Sequence, residues 1–202
     1  VSRRTGPTAL ATIVSTPSPI PAPALASPPG GLLLWIVVSL ELGTFALVLG
    51  AIAYQRGADA AAFRAGQALL DPRVGAALTA ALVTSGWLAA EGVHAYRAGL
   101  LAKTRRYFGG AVLGGAVFAA LKVYEYVGKA RGGLGLGSGD FWDLYFLGTG
   151  FHFVHVLIGL GLLTAVGLGA GRKRFDDPET AIAGTALFWH MCDLVWFFLF
   201  PL

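Results

Sequence analysis

Apolar residues along this chain gather into five long runs, at about 32–54, 74–98, 107–128, 141–169 and 181–202. A bilayer's hydrocarbon core needs about 20 helical residues to cross it, and each run has that length. The segments between them carry the charges and turn residues: "QRGADAAAFRAGQALLDPR", "LLAKTRR", "GKARGGLGLGSG" and "GAGRKRFDDPE". The fourth run opens on "FWDLYF", an aromatic cluster of the kind that sits at a membrane–water interface. In the third, Gly110 and Gly114 stand in the small-xxx-small spacing that lets helix backbones approach closely. The pattern predicts an all-α membrane protein, a five transmembrane helix bundle over 31–202.

The first thirty residues are different. "STPSPIPAPALASPPG" has no acidic residue and no helical period, so residues 1–30 read as a disordered proline-rich tail. A cleaved signal peptide is the rival reading, since Arg3 and Arg4 precede "ALATIVS" and "APALA" offers small residues for cleavage. The apolar part of that segment is short and broken by Thr and Ser.

Composition narrows the class. Charged residues make up 13% of the chain and there are 29 glycines, against roughly 25% charged in soluble domains. Too little charge is present to cover a soluble fold of this length. The net charge of +4 does not indicate nucleic acid, because the basic residues fall between apolar runs and not along one face. Cys192 is the single cysteine, which excludes an intrachain disulfide and a thiolate cluster and leaves it a packing role. The halves show no repeat, against an inverted-repeat transporter.

Basic residues also predict an orientation. The N-terminal tail with the second–third and fourth–fifth connectors holds nine: Arg3, Arg4, Arg97, Lys103, Arg105, Arg106, Arg172, Lys173 and Arg174. The opposite side holds five: Arg56, Arg64, Arg73, Lys129 and Arg131. The positive-inside rule then sets the N-terminus in the cytoplasm and the C-terminus outside.

Ionisable groups inside the runs are the candidate chemistry, because each costs about 2.5–3.5 kcal/mol in lipid on insertion scales unless it finds a partner. Counting up each helix at 1.5 Å per residue puts Glu41, Glu91, His155, His190 and Asp193 in one band of the inner half. Lys122 and Glu125 lie higher in the third helix, as an outer polar pair. Glu91 and His94, His152 and His155, and His190 and Asp193 are each three apart and share a helix face. The fourth and fifth helices are antiparallel neighbours, so His152 or His155 is expected to meet His190 or Asp193, with His155 and Asp193 the better match in depth. Three uses are open: hydrogen bonding between helices, a proton path, and metal or haem ligation. The last fits least well, because paired histidines at matched depth are missing and "EGVH" at Glu91–His94 is a single Glu-x-x-His where a di-iron site needs two.

These residues, taken in order, resemble the haem-copper (cytochrome c) oxidase subunit III family. "SLELGTFALVLGAIAY" resembles its helix with a glutamate among apolar residues, and "LKVYEY" its segment ending in Glu-Tyr, here Glu125 and Tyr126. "GFHFVHVLIGL" resembles its Gly-Phe-His-x-x-His-Val helix through Gly150, His152, His155, Val156 and Gly159. "FWHMCDLVWFFLFPL" resembles its closing helix through Trp189, His190, Asp193 and Trp196. Within the family, "FRAGQALLDP" and "LFPL" look most like the NorE-type accessory subunit of nitric oxide reductase. The resemblance implies a non-catalytic, multi-pass subunit of the bacterial plasma membrane with no catalytic residue and no metal, haem or copper of its own. It implies partnership with a haem-copper catalytic subunit I, its associated subunits and membrane phospholipid, and support of assembly, stability and proton uptake. Seven-helix members hold lipid in a cleft beside two further helices, for which this sequence shows no counterpart. Glu41, Glu91, His152, His155, His190 and Asp193 would form a buried polar network. A small transporter or proton channel, and a membrane cytochrome b, are the alternatives.

Overall fold

The computed structural model describes residues 30–171 and 175–200. The proline-rich tail and the basic cluster Arg172, Lys173 and Arg174 lie outside the described residues. Six helices follow one another: α1 (Leu32–Ala58), α2 (Ala60–Gln67), α3 (Pro72–Arg97), α4 (Leu101–Arg131), α5 (Asp140–Gly169) and α6 (Pro178–Leu199). All but α2 are long and apolar enough to cross a membrane. At 1.5 Å per residue they run about 33 to 46 Å.

Local chemistry sets the ends of the helices. Asp59, Asp71 and Asp177 each accept a hydrogen bond from a backbone N–H of the helix that follows, at 2.8–3.1 Å. Pro72 and Pro178 open α3 and α6, where the missing N–H has no partner to lose. Between α3 and α4 the chain reverses at Gly99, with φ +73°. Leu100 N–H donates to Ala95 O and Gly99 N–H to Tyr96 O, both at 2.9 Å, the pair of bonds that closes a helix on a left-handed glycine. Arg105 then donates through Nε and Nη2 to Ala170 O, at 3.0 and 2.7 Å, and caps the end of α5.

Two expectations are corrected. The connector "QRGADAAAFRAGQALLDPR" contains α2, because the Asp59 cap and three alanines start a helix that Phe63 anchors. Phe63 is 2% exposed and meets the Phe141 ring edge-on at 5.3 Å. Eight residues rise only about 12 Å, so α2 covers one end of the bundle without crossing it. The third span begins at Leu101 and not at 107, since Lys103, Arg105 and Arg106 prolong the helix without interrupting it.

Each of α3 through α6 packs on the next, α6 closes the ring against α3, and α1 lies across α5 and α6. The α3–α4 contact is close, as Gly110 and Gly114 predict: a Cβ at Gly114 would stand 2.9 Å from Ser85 Cβ. There Ser85 Oγ donates to Ala111 O at 2.6 Å. Fully buried Trp189 of α6 is seated between glycines of two helices. A Cβ at Gly115 would come within 2.7 Å of its indole, and one at Gly159 within 2.6 Å. The outside is apolar, with Leu33, Leu47, Leu113 and Ile158 among the exposed side chains, which is the surface a lipid environment covers.

Candidate functional site

Among the described residues, three clusters pair ionisable side chains within this apolar bundle, and one of them joins α1 to α5. His155 places Nδ1 2.9 Å from Phe151 O, one turn back, and Nε2 3.1 Å from Glu41 Oε2. A carbonyl only accepts, so Nδ1 carries a proton. One more proton then lies across the Nε2–Oε2 contact, either on the imidazole against a carboxylate or on a carboxylic acid donating to a neutral ring. Phe45, Phe151 and Phe188 surround that ring, with centroids at 5.3, 4.6 and 6.3 Å. The histidine side chain is 8% exposed and the glutamate 30%, so the pair opens toward the surface of α1.

The second group stays on α6. His190 Nδ1 is 3.2 Å from Asp193 Oδ2, one turn along the same helix. The expected meeting of His152 or His155 with His190 or Asp193 does not occur. Depth is not the reason, since His152 stacks on Trp196, the next turn of α6, at 5.5 Å. Direction is: Asp193 turns toward α3 and rests over Gly86, where any Cβ would run into the carboxylate, while His155 turns toward α1. His152 is 1% exposed among Phe45, Phe118 and Trp196, and neither of its ring nitrogens hydrogen-bonds to a described residue. Trp196 itself donates from Nε1 to Thr79 Oγ1 of α3 at 3.0 Å.

The third group is the outer pair, which the structure enlarges. Lys122, 2% exposed, donates from Nζ to Glu125 Oε2 and to Tyr145 Oη, both at 3.0 Å, and the tyrosine donates to Glu125 Oε1 at 2.8 Å. The rings of Tyr126, Tyr145 and Trp196 lie 4.8–5.4 Å from the ammonium, close enough for cation–π attraction. Tyr126 Oη donates to Thr149 Oγ1 at 2.8 Å. Sequence reasoning finds Lys122 and Glu125 and misses Tyr145 and Thr149; their four-residue spacing at the start of the aromatic run was the available signal. Above this cluster is a cavity of about 510 Å³, walled by Ile52, Phe63, Leu78, Phe141 and Leu199, with Lys122 and Glu125 among its lining.

Glu91 and His94 join none of these groups: Glu91 is half-buried and His94 exposed, near the end of α3. No three His, Cys, Asp or Glu side chains converge as a metal-binding group among the described residues. Paired ionisable side chains inside an apolar bundle fix the positions of the helices that carry them.

Comparison with known proteins gives these residues a context. Residues 66–202 match the family model described as cytochrome c oxidase subunit III. The chain is similar to cytochrome c oxidase subunit 3 of Corynebacterium diphtheriae, 33% identical over 124 residues, which are 61% of this chain and 60% of that protein. It is similar to a probable cytochrome c oxidase subunit 3 of Nocardia farcinica, 30% identical over 132 residues, 65% of each chain. It is also similar to quinol oxidase subunit 3 of Bacillus subtilis, 32% identical over 125 residues, 61% of each. The chain thus spans about 60–65% of the length of these relatives.

Proposed function

Because this chain belongs to the cytochrome c oxidase subunit III family, we propose that it is an accessory, multi-pass membrane subunit of a respiratory haem-copper complex, a cytochrome c oxidase or a nitric oxide reductase. In this reading it sits in the bacterial plasma membrane with its N-terminus in the cytoplasm. It carries no redox centre and steadies the catalytic subunit while supporting proton uptake there. The observation that carries the reading is that ionisable side chains in the stretches resembling the family, Glu41, Glu125 and His155, all find partners inside the bundle. Glu41 holds His155 and Lys122 holds Glu125, as expected of a scaffold whose ionisable groups fix helix positions. The nitric oxide reductase branch rests on the sequence resemblance of "LFPL" and of "FRAGQALLDP", the latter running from the second half of α2 to the capped start of α3.

The test is affinity purification of the tagged full chain from membranes of its own host in mild detergent. A large haem-containing subunit is expected in stoichiometric amount, with its haem leaving when that subunit is stripped away. Haem remaining on the isolated chain, or no haem subunit retained, refutes the reading. Oxygen or nitric oxide consumption by the purified complex then decides between the two enzymes.

A further inference from the structure

The cavity under α2 has an exposed mouth and a charged floor. The mouth lies at the α2–α3 connector, where Ala68, Asp71 and Pro72 are exposed. The floor is made by Lys122, Glu125, Tyr145 and Thr149. Thr149 stands nine residues past Asp140, the start of α5. That is about 14 Å down a helix of about 45 Å, so a centred hydrocarbon core of about 30 Å begins above it. The floor has hydrogen-bonding capacity to spare. Of the ammonium's N–H groups, one goes to Glu125 and one to Tyr145, which leaves a third. Glu125 accepts one bond at each oxygen from the described residues, where a carboxylate offers about four lone pairs. Such capacity against hydrocarbon is costly, and charges inside a membrane protein face one another or a water-filled cavity. The volume, about 510 Å³, has room for on the order of fifteen waters at about 30 Å³ apiece.

We propose that this cavity is a water-filled vestibule, open at the α2–α3 connector, that hydrates the Lys122–Glu125 pair inside the span. An apolar occupant such as an acyl chain would match the walls and leave the floor unmet. Water meets the floor and joins the aqueous phase at the exposed mouth. The roof stays in place over it, with Lys129 Nζ donating to Leu69 O at 2.9 Å and Phe63 set against Phe141. The vestibule is blind. Trp196 closes its inner end: the ring stands 5.4 Å from Lys122 Nζ and stacks on His152 at 5.5 Å, with Phe118 edge-on at 4.9 Å. Water therefore reaches the pair from one side and does not cross the bundle. The vestibule belongs to this chain alone and stands whether or not the accessory-subunit reading does.

Hydroxyl-radical footprinting by radiolysis tests this on the full wild-type chain, purified from its host membranes with the subunits it retains and held in lipid nanodiscs. Radicals form from water beside a side chain, and three tryptophans separate the outcomes. Trp87 is 59% exposed on the outer face of α3, Trp196 is 3% exposed at the cavity, and Trp189 is fully buried away from it. Trp196 should be oxidised about tenfold or more faster than Trp87 and Trp189, because the bilayer core around them holds no water. Oxidation of Trp196 no faster than that of Trp189 overturns the proposal, whether the cavity is dry or filled by lipid. A second measurement uses thiols in a Cys192→Ala background. Thr149→Cys should react with a charged, impermeant methanethiosulfonate about tenfold or more faster than Leu147→Cys, since the reacting thiolate needs water. Leu147 is 57% exposed on the outer face of the same helix, so equal rates, or a faster Leu147→Cys, also overturn the proposal. The wild-type pattern decides where a variant fails to fold. Neither result bears on retention of a haem subunit, which tests the accessory reading separately.

Discussion

Glu41→Leu isolates the contact between two ionisable side chains, Glu41 and His155, that ties α1 to α5. The helix is otherwise held by the buried stripe Val38, Phe45 and Ile52, by half-buried neighbours such as Leu42 and Val48, and by the Gln55–Asp140 hydrogen bond near its end, so the Glu41 contact is one of few polar ties it has. Polar contacts between membrane helices contribute about 0.6 kcal/mol on average and about 1.7 at most. The 30% exposure of Glu41 places this contact toward the lower figure. Removing Glu41 also leaves His155 Nε2 in a nearly closed aromatic site, and an unpaired buried group adds about 1–3 kcal/mol. The single change should therefore destabilise by about 1.6–3.6 kcal/mol. His155→Leu should cost a similar amount. The double change should cost less than the sum of the two, by about 0.6–1.7 kcal/mol, because the stranded group is removed together with its partner. Unfolding of the full chain in mixed micelles on raising the fraction of denaturing detergent, followed by tryptophan fluorescence, measures all four variants. Paired changes at His155 and Asp193, which share no hydrogen bond, serve as the control and should add within about 0.5 kcal/mol. Additivity at Glu41 and His155, or equal coupling in the control, would refute the pairing.

Lys122→Met alone should destabilise by about 3–5 kcal/mol by leaving Glu125 as an uncompensated charge, whereas Lys122→Met with Glu125→Gln should be near neutral; the same detergent titration measures both. Lys103→Cys should resist an impermeant thiol reagent in intact cells and react after lysis, and labelling of intact cells would reverse the orientation read from the basic residues. Hydrogen bonds from the Thr180 hydroxyl and amide hold the Asp177 carboxyl below the usual carboxylate range. Its capping contribution should therefore be fully present above the unfolded value and lost only as pH falls through the depressed one. The protection of the Thr180 amide, its exchange rate relative to an unstructured peptide at the same pH, should fall in that acid window in the wild type and already be low at neutral pH in Asp177→Ala.

The five crossings were legible because the requirement for about 20 apolar helical residues is a property of length and composition alone. The close contact at Gly110 and Gly114 was legible for a similar reason, since small residues four apart leave one helix face open. Helix α2 was not, because its eight residues, four alanines with Phe63, Arg64, Gly66 and Gln67, fall far short of the length of a span. The partner of His155 was hidden for a geometric reason. Counting residues along a helix gives height, and Asp193 does lie near the right height. Contact also needs the side chains to point toward each other, and that angle depends on how α1 lays itself over α5 and α6. Glu41 and His155 are 114 residues apart, and no local spacing encodes that meeting. Tyr145 belongs with Lys122 for the same kind of reason, across the turn between α4 and α5.

That separation also has a meaning in time. Ribosomes add about 5–20 residues per second, so Glu41 is made roughly 6 to 23 seconds before His155, 114 residues later. During that interval Glu41 has no partner from its own chain. The burden falls on the rest of α1, which has the most apolar window of the five spans and can carry one unpaired carboxyl into the bilayer. Residues such as Leu33, Leu40 and Leu47, which face outward in the finished bundle, therefore serve the newborn helix more than the mature one. Polar replacements there should leave the assembled subunit's stability nearly unchanged and lower the fraction of chains that ever become assembled.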